Sequence, residues 1–225
     1  MITTVFIDID DTLLDFHKCA KESMHKVFDD INIPFEDSMF AVFTEVNNNL
    51  WHKLEKGIIE RKQIHSTRWN IIFEKLGINY DGNAFEEKFL LQLAHSAVPV
   101  TYAKELMEYL SSKYTICAAS NAPYEQQLIR LKTAGLFQYI HKFFISEKIG
   151  FSKPDKIFFD VCFKELGNLS AVNTILIGDS PTADIQAANT YGIKSCWFNP
   201  HRKELPGGIH ADYIVESLSE ICSIL

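Results

Sequence analysis

Positive charge is the first thing this chain lacks: 22 Lys and Arg stand against 29 Asp and Glu, a formal charge of −7 over 225 residues. General electrostatic attraction to DNA, RNA or an anionic membrane surface is therefore disfavoured, and no polymeric nucleic acid or membrane partner is expected. Paired cysteine is missing too. Cys19, Cys117, Cys162, Cys196 and Cys222 are scattered, odd in number and never spaced CxxC, which argues against a disulfide framework or a zinc site. Reduced, mostly buried thiols are expected. No apolar run approaches the roughly 18 residues needed to span a bilayer, and no basic segment followed by an apolar one precedes Asp8. These absences lead us to expect a cytoplasmic protein. What remains is an ordinary globular composition, 47% hydrophobic and 23% charged, sufficient for one large domain or for a domain carrying an insertion.

Two regions differ in pattern. From about residue 100 onward, helical and strand-like stretches alternate: "AKELMEYLSSK", "YTICAAS", "YEQQLIRLKTAG", "KFFIS", "DKIFFDVCFKELG", "NTILIGD", "TADIQAANTYG" and "KSCWFN". That alternation is what a parallel sheet with crossover helices requires, and Gly135, Gly167 and Gly192 fall where helices should stop. The first strand, Thr4 to Ile9, fits the same sheet. Residues 16–95 hold only helical periodicities, among them "MFAVFTEVNNNLWHKLEKG" and "NAFEEKFLLQLAHS", and read as an all-helical insertion. The expectation is an α/β fold, a Rossmann-like doubly wound parallel sheet (1–15 and 96–225) with a helical cap (16–95) placed to act as a lid.

The stretch "VFIDIDDTLLDF" places Asp8, Asp10 and Asp11 at the end of an apolar strand. Burying adjacent carboxylates is expensive unless a cation or several donors compensate them. In an open parallel sheet, ligands sit beyond the carboxyl ends of the strands. Other strand ends should serve the same crevice, and they carry Ser120-Asn121 and Gly178-Asp179-Ser180, with Asp184 five positions after Asp179. Lys153 lies between them in "SKPD". Taken singly these are ordinary turn and N-cap residues; their order and spacing carry the signal. Oxygen donors without His or Cys point to Mg²⁺.

Together, "DIDDT" (Asp8 to Thr12), Ser120, Lys153 and "GDSPTAD" (Gly178 to Asp184) resemble the four motifs of the haloacid dehalogenase-like phosphohydrolases. The resemblance implies that Asp8 is the nucleophile, forming an aspartyl-phosphate, and that Asp10 is the general acid and base. It implies Mg²⁺ held by Asp8, Asp179 and the Asp10 carbonyl, with Ser120, Asn121 and Lys153 on the substrate phosphate. Thr12 would shape the turn, and Asp184 would orient Lys153 or a metal-bound water. Asp11 is expected to be an exposed turn residue. His25, His52, His65 and His95 are expected at the surface or in packing rather than as ligands.

"VNNNLWHKLEKGIIERKQIHSTRW" (Val46 to Trp69) and "CWFNPHRKELPGGIHADYIVESLSEI" (Cys196 to Ile221) are similar to parts of the bacterial pyrimidine 5′-nucleotidases of that superfamily. This implies a small phosphate monoester as substrate: dUMP, UMP, dTMP or noncanonical analogues. In the insertion, Phe43, Trp51 and Trp69 could stack a base and Arg61 or Arg68 could assist a sugar or phosphate, although helical spacing favours core packing for the aromatics. The alternative within catalysis is a phosphatase for a sugar phosphate or an N-acylneuraminate 9-phosphate. A 2-haloacid dehalogenase needs neither Asp10 nor Asp179, and a phospho-acceptor domain needs no eighty-residue lid.

Overall fold

Four successive buried side chains, Thr4 to Ile7, leave no polar face for water, and a strand buried on both faces belongs inside a parallel sheet. The structure, a computed structural model, describes residues 1–167 and 170–225. Six strands are present among them: β1 (Thr4–Ile7), β2 (Thr115–Ser120), β3 (Lys142–Ile145), β4 (Thr174–Gly178), β5 (Lys194–Phe198) and β6 (Tyr213–Val215). They form one sheet in the order β3-β2-β1-β4-β5-β6, every neighbouring pair parallel. The helices are α1 (Phe16–Asp30), α2 (Asp37–Glu55), α3 (Arg61–Leu76), α4 (Gly82–Ala94), α5 (Ala103–Ser111), α6 (Tyr124–Thr133), α7 (Ser146–Ile149), α8 (Lys156–Glu165), α9 (Gln186–Tyr191) and α10 (Ile221–Ile224). The chain divides into two compact units, Met1–Phe16 with Ala97–Leu225, and His17–Ser96.

In the first unit the two-residue period of a strand sorts side chains onto opposite faces. Val5 and Ile7 pack with Leu106, Met107 and Leu110 of α5, Leu131 of α6 and Ile221 of α10. Phe6 points the other way, among Phe158, Phe159, Cys162 and Phe163 of α8 and Ala187 and Ala188 of α9. Helices on both faces make this a doubly wound, Rossmann-like α/β fold, as the alternating pattern led us to expect. Left-handed φ angles at Gly135, Gly167 and Gly192 coincide with the ends of α6, α8 and α9. Two details differ from the sequence reading. β1 stops at Ile7, two residues early, because the chain turns into the acidic loop. The sixth strand was not foreseen, since three residues between Asp212 and Glu216 carry too short a pattern; Asp212 Oδ2 ties it to β5 by accepting from Ser195 N at 2.8 Å and Ser195 Oγ at 3.0 Å. All five cysteines are free thiols, and among the described residues no helix is long and apolar enough to cross a membrane.

The second unit is entirely helical. Its core is aromatic: Phe28, Phe43, Trp69, Phe73, Phe85 and Phe89 are all buried, with Trp69 against Phe85 (ring centroids 4.1 Å apart) and stacked on Phe43 (5.5 Å). Trp69 and Phe43 are thus packing residues and do not present a face to a base. Arg68 is likewise unavailable to a substrate. Its guanidinium donates to Glu86 Oε1 and Oε2 at 2.7 and 3.2 Å and to Asn47 Oδ1 at 2.8 Å, and it lies over the Phe43 and Phe89 rings. His65 Nδ1 meets the same carboxylate at 2.8 Å, while His25 and His52 pair with Asp29 and Glu55 on their own helices.

A buried, fork-shaped ion pair is costly to break from one side, because the abandoned charge keeps its desolvation penalty. Arg68→Met should lower stability by about 3–5 kcal/mol, seen as a large drop in the thermal midpoint. Adding Glu86→Leu should restore much of it; a single variant as stable as the wild type would contradict this reading of the helical core.

Candidate active site

Strand connections diverge between β1 and β4, since β1 leads toward β2 and β3 while β4 leads toward β5 and β6. The loops beyond their carboxyl ends therefore part and leave a crevice. Asp8 follows β1 directly, its N–H donating to Ile177 O at 2.9 Å, and Asp179 follows β4. One oxygen from each of Asp8, Asp179 and Asp184 lies within 4.8 Å of the others.

Asp184 reaches the cluster through a tight turn. Ser180 accepts from Ala183 N at 3.0 Å, and Pro181–Ile185 make a single π-type turn before α9; such turns concentrate at functional sites. Asp184 then folds back over Gly178, where any side chain would collide: a Cβ there would stand 2.2 Å from Asp184 Oδ2. That close approach explains the glycine before Asp179.

Lys153, 1% exposed, joins the group. Its Nζ donates to Asp8 Oδ1 at 2.7 Å, Asp184 Oδ1 at 2.6 Å and Ala119 O at 2.6 Å. An ammonium group has three N–H donors, so in this arrangement all are committed to the protein. The Asn121 side chain fixes the backbone of Lys153 from both sides, accepting from Lys153 N and donating to Lys153 O, each at 2.9 Å. Asn121 thus builds the lysine's position. The Lys153–Pro154 peptide is cis.

Thr12 is buried, and its Oγ1 donates to Asp179 Oδ1 at 3.4 Å, while Trp197 Nε1 donates to Asp179 O at 2.8 Å. Asp11 is a turn residue, with φ of 56°, but it is half-buried rather than exposed. Its Oδ1 accepts from Phe16 N at 2.9 Å, where α1 begins, and an aspartate tolerates this left-handed conformation because its short polar side chain bonds locally.

Asp10 and Ser120 meet partners the sequence reading missed. Gln127 Nε2 donates to Asp10 Oδ2 at 2.6 Å and to Ser120 Oγ at 3.0 Å, and Arg130 NH1 pairs with Asp10 Oδ1. Gln127 and Arg130 are both fully buried. The signal was available. With Leu131 they occupy the i, i+3 and i+4 positions of the inward stripe of α6, where a helix face on a sheet is normally apolar. Trp197, on a strand where a tryptophan needs no explanation, gave none.

Lys153 pairs with Asp8 and Asp184, and Arg130 with Asp10, while Asp179 lies beside Asp8 and Asp184. Burial, together with Asp184 and Asp10, pushes the Asp8 carboxyl up to about 8 against the opposing pull of Lys153. Burial followed by Asp11, Asp8 and Asp184 holds Asp179 well above its ordinary value. Lys153 is held cationic by Asp184 and Asp8 despite its burial. Oxygen-only donors with an excess of negative charge and raised proton affinity fit a hard divalent cation.

The sequence model of the haloacid dehalogenase-like hydrolases matches residues 2–192. The chain belongs to that family. YfnB of Bacillus subtilis, described as a HAD-hydrolase, is 32% identical over 99% of this chain and 94% of its own. A crystal structure of YfnB bound to magnesium superposes with a TM-score of 0.95 over 100% of this chain and 98% of that one. PynA of Streptococcus pneumoniae and YjjG of Escherichia coli, both named pyrimidine 5′-nucleotidases, are each 29% identical over 98% of this chain, covering 94% and 96% of their own lengths.

A proton on Asp8 competes with a cation for the same oxygens. With its carboxyl raised to about 8, the metal-free protein should lose stability as pH rises from near 4 toward 8, because the folded state binds the extra proton. Saturating Mg²⁺, worth about 2.7 kcal/mol at a hundredfold excess over its Kd, should raise the thermal midpoint more at pH 8.5 than at pH 5.5. Equal shifts at both pH values, or none, would contradict a cation site built on Asp8.

Proposed function

We propose that this hydrolase is a Mg²⁺-dependent phosphomonoesterase working through an aspartyl-phosphate on Asp8, and that its substrates are pyrimidine nucleoside monophosphates (dUMP, UMP, dTMP and noncanonical analogues). The observation that supports the mechanism is the placement of Asp8, whose carboxyl a bound cation would hold ionised, in one crevice with Lys153, the acidic cluster of Asp179 and Asp184, and a second acid, Asp10, two residues on. The substrate class rests on the near full-length likeness to the two pyrimidine 5′-nucleotidases.

In this reading Asp10 enters the step protonated; an Asp8 oxygen attacks phosphorus, the ester P–O bond breaks, and Asp10 gives that proton to the departing alkoxide. Asp10, now a carboxylate, takes a proton from water as that water attacks phosphorus and the Asp8–phosphorus bond breaks, returning Asp8 unchanged. Lys153 shifts an N–H from Asp8 to a phosphoryl oxygen as the charge moves, and the Ser120 hydroxyl donates to another. Asn121 serves by holding Lys153, Asp184 by orienting its ammonium group, and Thr12 by steadying Asp179. Mg²⁺, held by Asp8, Asp179 and the Asp10 carbonyl, would supply the positive charge that lets an anionic nucleophile approach an anionic phosphate. A dehalogenase has no use for the acid at Asp10. Residues 1–15 and 96–225 then form the catalytic domain, 16–95 the cap that selects the leaving group, and the enzyme works in the cytoplasm on free nucleotides.

Phosphate release with Mg²⁺ should be measured from dUMP, dTMP, UMP, AMP, a hexose phosphate and a sialic acid phosphate. Preference for the pyrimidines is expected, falling more than about 10³-fold in Asp8→Asn. Activity confined to the sugar phosphates would overturn the substrate class, and unchanged activity in Asp8→Asn would overturn the mechanism.

A further inference from the structure

Arg130 and Gln127 form a hydrogen-bond relay whose direction is fixed by the donors and acceptors themselves. Arginine can only donate. Its NH1 donates to Gln127 Oε1 at 3.2 Å and also pairs with Asp10 Oδ1. With Oε1 assigned as acceptor, the amide orientation of Gln127 is no longer ambiguous, and its Nε2 must be the group facing Asp10 Oδ2 at 2.6 Å and Ser120 Oγ at 3.0 Å. Ser120 Oγ also accepts from Ala122 N at 3.2 Å. A hydroxyl has two lone pairs and one proton. Both lone pairs are occupied, so the proton is the one function left to it, and the hydroxyl is set as a donor.

The relay therefore reaches two groups with different tasks. We infer that Gln127 and Arg130 are positioning residues for the phosphoryl transfer: Arg130 fixes the Asp10 carboxyl directly, and Gln127 both fixes Asp10 and orders Ser120 as a donor to a phosphoryl oxygen. This rests on the phosphomonoesterase reading and adds to it the residues that align its acid and its phosphate-binding hydroxyl. The buried setting supports the assignment. Neither side chain is exposed, each is bonded to another polar group of the crevice, and a low-dielectric position makes such bonds strong and their loss expensive. A purely structural stripe on α6 would have been met by apolar residues, as at Leu131.

The test separates the two roles by leaving group. An alkyl phosphate needs its alkoxide protonated, whereas p-nitrophenyl phosphate releases an anion stable without help from Asp10. Because kcat/KM reports only steps up to release of the first product, it excludes the later use of Asp10 as a base. Arg130→Met should lower kcat/KM for an alkyl phosphate such as dUMP by about 10²-fold, the scale of a misplaced catalytic group, and for p-nitrophenyl phosphate by less than about tenfold. Arg130→Lys, which keeps the charge, should recover part of the alkyl activity. Gln127→Glu, of nearly equal size but without the amide donor, should cost both esters, since Ser120 loses its ordering partner whichever alcohol leaves. In an Asp10→Asn background, Arg130→Met should add less than about threefold, because interacting residues are not additive.

Equal losses on both esters in Arg130→Met, or full additivity with Asp10→Asn, would overturn the relay and leave the phosphatase reading intact. A wild-type protein that hydrolyses neither ester would overturn the phosphatase reading and the relay with it.

Discussion

One buried ammonium group holds the crevice together. Lys153 Nζ reaches Asp8 beyond β1, Ala119 O at the end of β2 and Asp184 after β4, so three neighbouring segments of the sheet's carboxyl edge converge on a single atom. Taking that charge out of water costs several kcal/mol, and the cost is recovered only because all three of its protons are bonded, two of them to carboxylates. The same bonds pay a second return in function, since they prevent Asp8 from relaxing away from the crevice floor. Removing either acid would leave the buried ammonium with one carboxylate instead of two, and for that reason the site and the stability of this edge are coupled.

The sheet order makes the convergence possible. Parallel strands present all their carboxyl ends to one side, and the reversal between β1 and β4 opens the gap into which Asp8 and Asp179 project. Local details then tune it. Gly178 lets Asp184 close in, Asn121 clamps the lysine's backbone, and Trp197 and Thr12 each hold Asp179 by a different atom. The excess of carboxylates left after these bonds is what asks for a divalent cation.

Much of this was legible in the sequence because it depends on chain order. The alternation of apolar strands and amphipathic helices after residue 100 pointed to the doubly wound sheet, and chain order alone set Asp8, Ser120 and Asp179 at strand ends, with Lys153 and Asp184 in the segments that follow β3 and β4. What stayed hidden depends on side-chain direction. Nothing in "DIDDT" distinguishes an exposed Asp11 from one that turns back to bond Phe16 N, and nothing in "VNNNLWHKLEKG" says that Asn47 will meet Arg68. Gln127 and Arg130 could have been suspected from their place on the inward stripe of α6, but only the structure shows which acid they address. The short β6 lacked enough residues for any period to register.

The central claim is that Asp8 itself carries the phosphoryl group during turnover. Its most direct test is the stereochemical course at phosphorus, using a monoester made chiral with oxygen isotopes. Two successive in-line displacements, first by Asp8 and then by water, are expected to give net retention. Net inversion would mean that water attacks the ester directly, and would contradict a covalent role for Asp8.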